Sequence, residues 1–217
     1  VVRQFTQLKC RLMPYLYPAS AQAASHGTPV MRAMMLEFPE DPACDYLDRQ
    51  YMLGDDVLVA PVFSEEGNVD FYLPQGRWTH LLNNEVAEGS RWYRQQHDFD
   101  SLPLYVRPNT LLALGCNDQK PDYDYSERPQ FHLFELEDGA IAESQITDLQ
   151  GNVVFTLNVH RSGDTLTLTT EGKATDWALC LRNIHSVKNC SLATASKNEQ
   201  GTVITPEYGH NQYTITL

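Results

Sequence analysis

Residues 28–62 read TPVMRAMMLEFPEDPACDYLDRQYMLGDDVLVAPV, and this stretch decides the fold. Val30 to Phe38 is almost continuously apolar, interrupted only by Arg32 and Glu37. Such a run suits a strand buried on both faces, as in a parallel barrel. Pro39 and Pro42 end it. Asp45 to Leu53 is expected to form a short helix, with Gly54 as the residue that stops it. Leu58-Val59-Ala60-Pro61-Val62 then reads as a second apolar strand.

Upstream, Phe5, Leu8, Leu12 and Leu16 recur at helical spacing and make one apolar face. Pro14 and Pro18 are expected to kink or end this helix; the Ala-rich segment Ala19 to Ser25 extends it, and Gly27 stops it. The stripe has too little of its own to bury against, and in a complete barrel the neighbouring strands supply the partner. The opening residues are amphipathic rather than a charged start followed by an apolar core, so no signal peptide is expected. The missing initiator Met points to a true N-terminus elsewhere.

Downstream of Gly54 the texture becomes all-β. VLVAPVFS, VDFYLP, RWTHLLN, LPLYVRP and TLLALG are short runs rich in strand formers. Gly67-Asn68, Gln75-Gly76 and Asn83-Asn84 punctuate them, which suggests a sandwich. Residues 117–130, NDQKPDYDYSERPQ, are polar with two prolines and read as a linker between domains, the alternative being a long surface loop within one domain. Beyond them apolar and polar residues alternate. Leu166, Leu168 and Thr170 face one way, and Thr165, Thr167 and Thr169 the other. QYTITL closes the last sheet.

Of the 217 residues, 42% are hydrophobic, so a packed core is within reach. The net charge of -12 argues against nucleic acid and anionic membrane as partners, since both require a basic face. No apolar run reaches the roughly 18 residues a membrane span needs. Residues 1–36 carry four bases (Arg3, Lys9, Arg11 and Arg32) and no acid, and all 28 acids lie from Glu37 onward. This shift suits a segment cut from a larger domain, followed by something self-contained. The five cysteines are scattered and show no metal-ligand spacing. They read as free, buried thiols in a reducing cytoplasm.

An ordered set of short motifs runs through residues 8–114. It comprises Leu12-Met13-Pro14-Tyr15-Leu16-Tyr17, Gly27-Thr28-Pro29-Val30-Met31-Arg32, Phe38-Pro39, Gln50-Tyr51-Met52-Leu53-Gly54 and Leu58-Val59-Ala60-Pro61-Val62. Tyr72-Leu73-Pro74-Gln75-Gly76-Arg77-Trp78 and Leu104-Tyr105-Val106-Arg107, followed by Leu111-Leu112-Ala113-Leu114, complete it. Each motif is weak alone; the ordered set resembles the barrel end and following β domain of glycoside hydrolase family 31. The distal part resembles bacterial α-xylosidases that act on isoprimeverose-like sugars. One departure is Arg32-Ala33, where the family often has Arg-Pro.

The resemblance implies a retaining α-glycosidase. One carboxylate attacks the anomeric carbon and a second donates and then removes a proton, about 5–5.5 Å away. In that family the nucleophile is an Asp on the fourth barrel strand and the acid/base an Asp after the sixth. Both precede the residues present here, and the nucleophile signature is absent. No catalytic, cofactor-binding or metal-binding residue is therefore carried over, and no cofactor is expected.

The expected architecture is mainly β: two antiparallel β-sandwich domains preceded by the last helix and strand of a (β/α)8 barrel. Residues 1–53 would be the barrel end, 54–116 a proximal sandwich, 117–130 a linker and 131–217 a distal sandwich. The partners implied are an oligosaccharide substrate reached through the parent enzyme and the rest of the catalytic barrel. A role in subunit contacts, including a homo-oligomer, stays open.

Glu37 is the carboxylate to test as pocket lining, because it closes the last barrel-like strand, where barrel sites are built. The alternative is a corner acid pairing with Arg32. Asp55 and Asp56 are adjacent, so on a strand they point apart and cannot flank one bond. His97, Asp98 and Asp100 read as a solvated loop, with a metal site or proton relay as the sharper alternative. His26, His80, His132, His160, His185 and His210 are isolated. Trp78, Trp92, Tyr93, Trp177, Tyr123 and Tyr125 could stack on sugar rings or fill thin cores. The first choice would make the chain a carbohydrate-binding module. The helix-strand segment 1–38, which such a module does not need, argues against it. An α-glucosidase tail is the nearer alternative.

Overall fold

A computed structural model describes every residue, Val1–Leu217. Two helices open the chain, α1 over Val2–Arg11 and α2 over Met13–His26. The break at Leu12 follows from Pro14, which has no N–H to donate and whose ring crowds the carbonyl one turn back. The Leu12 amide still donates to the Leu8 carbonyl one turn back, at 2.9 Å, and shares its proton with the Lys9 carbonyl, at 3.1 Å. Pro18 stays inside α2, so it does not end the helix. The stop is Gly27, left-handed at φ 78°, whose N–H donates to the Ala23 carbonyl.

The chain forms two compact units. The first holds Val1 and Gln22–Pro108; the second holds Val2–Ala21 and Asn109–Leu217.

In the first unit the strands are β1 (Met31–Ala33), β2 (Tyr51–Leu53), β3 (Val57–Val59), β4 (Asn68–Leu73), β5 (Arg77–His80), β6 (Val86–Glu88), β7 (Arg91–Gln96) and β8 (Leu104–Val106). A single helical turn, α3 (Met34–Glu37), follows β1. The main sheet runs β1-β2-β3-β8-β5-β6, antiparallel throughout, and β4 and β7 form a separate two-stranded ribbon. Phe71 and Leu73 of the ribbon share one core with Met52, Leu58, Trp78 and Tyr105 of the sheet.

Three expectations are corrected here. The apolar run from Val30 to Phe38 is not a doubly buried strand. Only three residues are extended, with Met31 60% exposed, before the chain turns into α3. Asp45 to Leu53 is not a helix. Asp41 caps a 3-10 turn at Pro42–Cys44, accepting from the Ala43 amide at 3.1 Å, and Tyr51–Leu53 is a strand. Gly54, at φ 64°, starts the tight turn into β3, and its N–H donates to the Val30 carbonyl. Finally, β1 pairs antiparallel with β2, so it is not a strand of a parallel barrel sheet.

The second unit contains β9 (Thr110–Leu114), β10 (Gln130–Phe134), β11 (Ile141–Thr147), β12 (Val153–Ser162), β13 (Thr165–Gly172), β14 (Ala178–Arg182), β15 (Asn189–Ser191), β16 (Ala193–Asn198), β17 (Gly201–Pro206) and β18 (Gln212–Thr216). Two five-stranded sheets result, β16-β17-β14-β10-β9 and β11-β12-β13-β18-β15. All pairings are antiparallel except β10 with β14. The alternation read from the sequence is realised: Leu166 and Leu168 are buried with Phe131, Leu157, Leu179 and Ile215.

Residues 117–130 are packed into this unit instead of linking two. Tyr123 and Tyr125 are buried, edge to face at 4.9 Å. The Tyr123 hydroxyl donates to the Cys10 carbonyl at 2.9 Å, and Gln7 donates to Asp118 at 2.9 Å. Gly115 makes room for this: a Cβ there would lie 1.7 Å from the Tyr123 hydroxyl oxygen. The strand Thr110–Leu114 likewise belongs here, paired with β10.

Candidate functional site

The residues singled out in the first unit gather in two places. The first is a knot around Arg32. Its position on β1 turns the side chain inward, leaving it 3% exposed. Its Nε donates to the Pro29 carbonyl at 2.8 Å and one terminal nitrogen to Gln22 at 3.2 Å. The other donates to Glu37 at 2.6 Å and to Asp55. Burial works against this charge, and the hydrogen bonds to the two carboxylates outweigh it, so the Arg32 pKa is raised. Arg107 approaches the second Glu37 oxygen at 3.7 Å, lies 5.2 Å over the Phe38 ring and donates to the Asp55 carbonyl.

Glu37 thus faces a guanidinium on each oxygen. A glycosidic acid or nucleophile works with a second carboxylate across the scissile bond. Here the neighbouring carboxylate, Asp55, is joined to Glu37 through Arg32, an arrangement that fixes a corner. Glu37 also borders a cleft of about 540 Å³, with Phe38, Asp41, Tyr72, Gln75 and Ser90 on its walls. The Tyr72 hydroxyl donates to Asp41 at 3.0 Å; burial first, and that bond second, push the Tyr72 pKa up to about 12.

The second place is the outward face of the β4–β7 ribbon. Register pairs Asn68 with Gln96, Asp70 with Arg94 and Tyr72 with Trp92. These six positions share one face, because side chains alternate along each strand. Arg94 grips Asp70 with two bonds, 2.6 and 2.8 Å. The Trp92 ring leans on Tyr72 at 5.7 Å and is 56% exposed. A cleft of about 900 Å³ adjoins, lined by Asp48, Arg49, Phe63, Asn68, Asp70 and Arg94.

The other singled-out groups stay apart from these. Asp56 offers its carbonyl to the Arg107 amide. His97 spends its two ring nitrogens on Ser101 and Gln95, both at 3.0 Å, and burial lowers its pKa against the pull of Asp98. No group of three or more His, Cys, Asp or Glu is placed to hold a metal ion. His80 is buried, bonded to the Leu102 carbonyl. His132 lies in the second unit, buried beside Arg182 at 3.3 Å. Of the six aromatics, Trp78, Trp177, Tyr123 and Tyr125 are buried and Tyr93 stacks on Phe71 at 5.6 Å. Only Trp92 offers an open face. Sequence reading missed Asp70, Arg94 and Arg107. The alternation in VDFYL and RWYRQQ carried a signal for the first two; Arg107 stood in the Leu104–Arg107 motif with no role assigned to it.

Two family models match in series. Residues 27–112 fit "Glycosyl hydrolase family 31 C-terminal domain" and residues 124–217 fit "Alpha-xylosidase YicI, C-terminal domain". The α-xylosidase XylQ of Lactiplantibacillus pentosus is 35% identical over 77% of this chain and 22% of its own length. An α-xylosidase of Emericella nidulans is 42% identical over 56% of this chain and 17% of its own. The chain therefore spans about a fifth of the length of these relatives. In structure, the family 31 dextranase of Flavobacterium johnsoniae superposes with a TM-score of 0.82 at 22% identity, over 97% of this chain and 32% of the dextranase.

The fold is that of the β domains of larger proteins. The chain belongs to glycoside hydrolase family 31, whose C-terminal domains it carries in a form similar to those of α-xylosidases. No helix in it is long and apolar enough to cross a membrane.

Proposed function

We propose that this chain is the C-terminal portion of a retaining α-glycosidase that hydrolyses terminal α-xylosidic bonds of xylosyl-oligosaccharides, and that its own role there is structural. The observation that carries the reading is the serial match to two family 31 C-terminal domains, the second from an α-xylosidase. The catalytic carboxylates lie outside this chain, on a barrel that packs against the β1–α3 corner. Met31, Met35 and Leu36, each more than half exposed, support a missing apolar neighbour at that corner. The Arg32 knot keeps the corner rigid. The enzyme works in the cytoplasm, a reading supported by five cysteines that are all free thiols.

A specific observation favours a second reading, an α-glucosidase. The "Alpha-glucosidase 2" of Bacillus thermoamyloliquefaciens aligns over 95% of this chain, at 24% identity.

The test uses aryl α-xyloside and aryl α-glucoside with two proteins. One is this chain alone, expected to turn over neither. The other is the L. pentosus relative with its C-terminal portion replaced by this chain, expected to keep α-xylosidase activity. Turnover by the isolated chain would overturn the structural role. A folded chimera that has lost its preference for xyloside would overturn the α-xylosidase assignment.

A further inference from the structure

We propose that the outward face of the β4–β7 ribbon is a second, non-catalytic binding surface for a neutral oligosaccharide, with Trp92 as its stacking platform.

The argument starts with what a sugar asks of a protein. A pyranose has apolar C–H faces and a rim of hydroxyls. It needs a flat exposed ring beneath it and fixed donors and acceptors at its edge. Trp92 supplies the ring. It is the one Trp of three with an open face, and its tilt is set by Tyr72 at 5.7 Å. Tyr72 is itself fixed at both its backbone groups by Gln50 and at its hydroxyl by Asp41. The platform is therefore ordered before any ligand arrives, which lowers the entropy cost of binding.

The edge is supplied one pleat further on. Two residues along a strand advance about 7 Å, so Arg94 and Asp70 stand at the next step and Gln96 and Asn68 at the step after. The two Arg94–Asp70 bonds hold a guanidinium and a carboxylate coplanar, with donors and acceptors left over on their outer edges. The charges cancel within the pair, which suits a neutral ligand. Asn68 and Gln96 add amides, which both donate and accept. The row ends at the cleft of about 900 Å³, which gives a chain of sugars room to continue.

Among competing occupants, nucleic acid and polyanions are disfavoured by the net charge of -12. A protein partner is the other use of an exposed Trp, and the test separates it. The inference does not depend on which glycosidic bond the parent enzyme cleaves, nor on the chain lacking turnover.

Trp78 and Trp177 are buried, so a change in tryptophan emission on adding sugar reports Trp92. The full chain is titrated with isoprimeverose, maltotriose and isomaltotriose, with calorimetry in parallel. The expected result is a saturable blue shift with at least one sugar. Trp92→Ala should abolish the shift and weaken calorimetric binding at least tenfold, about 1.4 kcal/mol. Arg94→Gln should weaken binding severalfold while leaving the fold intact by circular dichroism. Phe99→Ala, an exposed aromatic off the ribbon face, should bind like the unaltered chain. No saturable response to any of the three sugars, or binding that survives Trp92→Ala unchanged, overturns the proposal.

Discussion

Gln50 closes both backbone hydrogen bonds of Tyr72: its Nε2 donates to the Tyr72 carbonyl and its Oε1 accepts from the Tyr72 amide, each at 2.8 Å. One side chain thereby does for β4 what a neighbouring strand would do. Gln50 is 5% exposed, so neither backbone group has water as a substitute.

Gln50→Leu keeps the volume and deletes both partners. Each stranded buried group costs about 1–3 kcal/mol, so the loss should be about 2–6 kcal/mol by urea denaturation. If the idea is right, Gln50→Glu recovers only part, since an ionised carboxylate accepts from the amide but cannot donate to the carbonyl. A Leu variant as stable as the unaltered chain would mean that β4 finds other partners.

Arg32→Met should destabilise the first unit by about 3 kcal/mol, because it leaves Glu37 and the Pro29 carbonyl without their buried donor. Restoring an apolar partner with Glu37→Leu in the same chain should regain much of that loss, as buried ion pairs replaced whole often do. The reading fails if the double variant is less stable than Arg32→Met alone. The readout is the denaturation midpoint of each variant.

His132 gives the second unit an acid sensitivity with a definite sign. Burial, then the charges of Arg182 and Arg11, push its pKa down to about 3. Unfolded, it titrates near 6.5, so between about pH 6.5 and pH 3 the unfolded chain binds the extra proton. Its contribution is complete above about pH 6.5 and is lost as pH falls toward 3, at up to about 1.4 kcal/mol per pH unit. His132→Gln should therefore flatten the slope of stability against pH between 6 and 4.5. Parallel slopes for the two proteins would show that His132 is already protonated in the fold.

Much of the fold was legible where local pattern and tertiary burial agree. The alternation of Leu166 and Leu168 with threonines fixed the face of a strand because that sandwich is buried on one side only. It failed where a short apolar stretch had two outlets. Tyr51-Met52-Leu53 offers no period long enough to separate a helix from a strand, and pairing with β1 and β3 decided it. Residues 117–130 looked like a linker because their polarity and prolines dominate the composition. The two tyrosines that pack inward were the contrary signal. At the knot, Arg32 and Glu37 were legible as neighbours five residues apart. Asp55 and Arg107 join them only through sheet topology, which no local pattern carries.

Helix α1 belongs to the far part of the chain. Cys10 takes its bond from Tyr123, 113 residues on, and Gln7 gives one to Asp118, 111 residues on. During synthesis this amphipathic helix must wait while more than a hundred residues follow it. All of the first unit from Gln22 onward emerges in that interval. The second unit can therefore close only after a long loop has been drawn in, a late and entropically costly step. Until then Cys10 and Gln7 lack the partners that Tyr123 and Asp118 later give them.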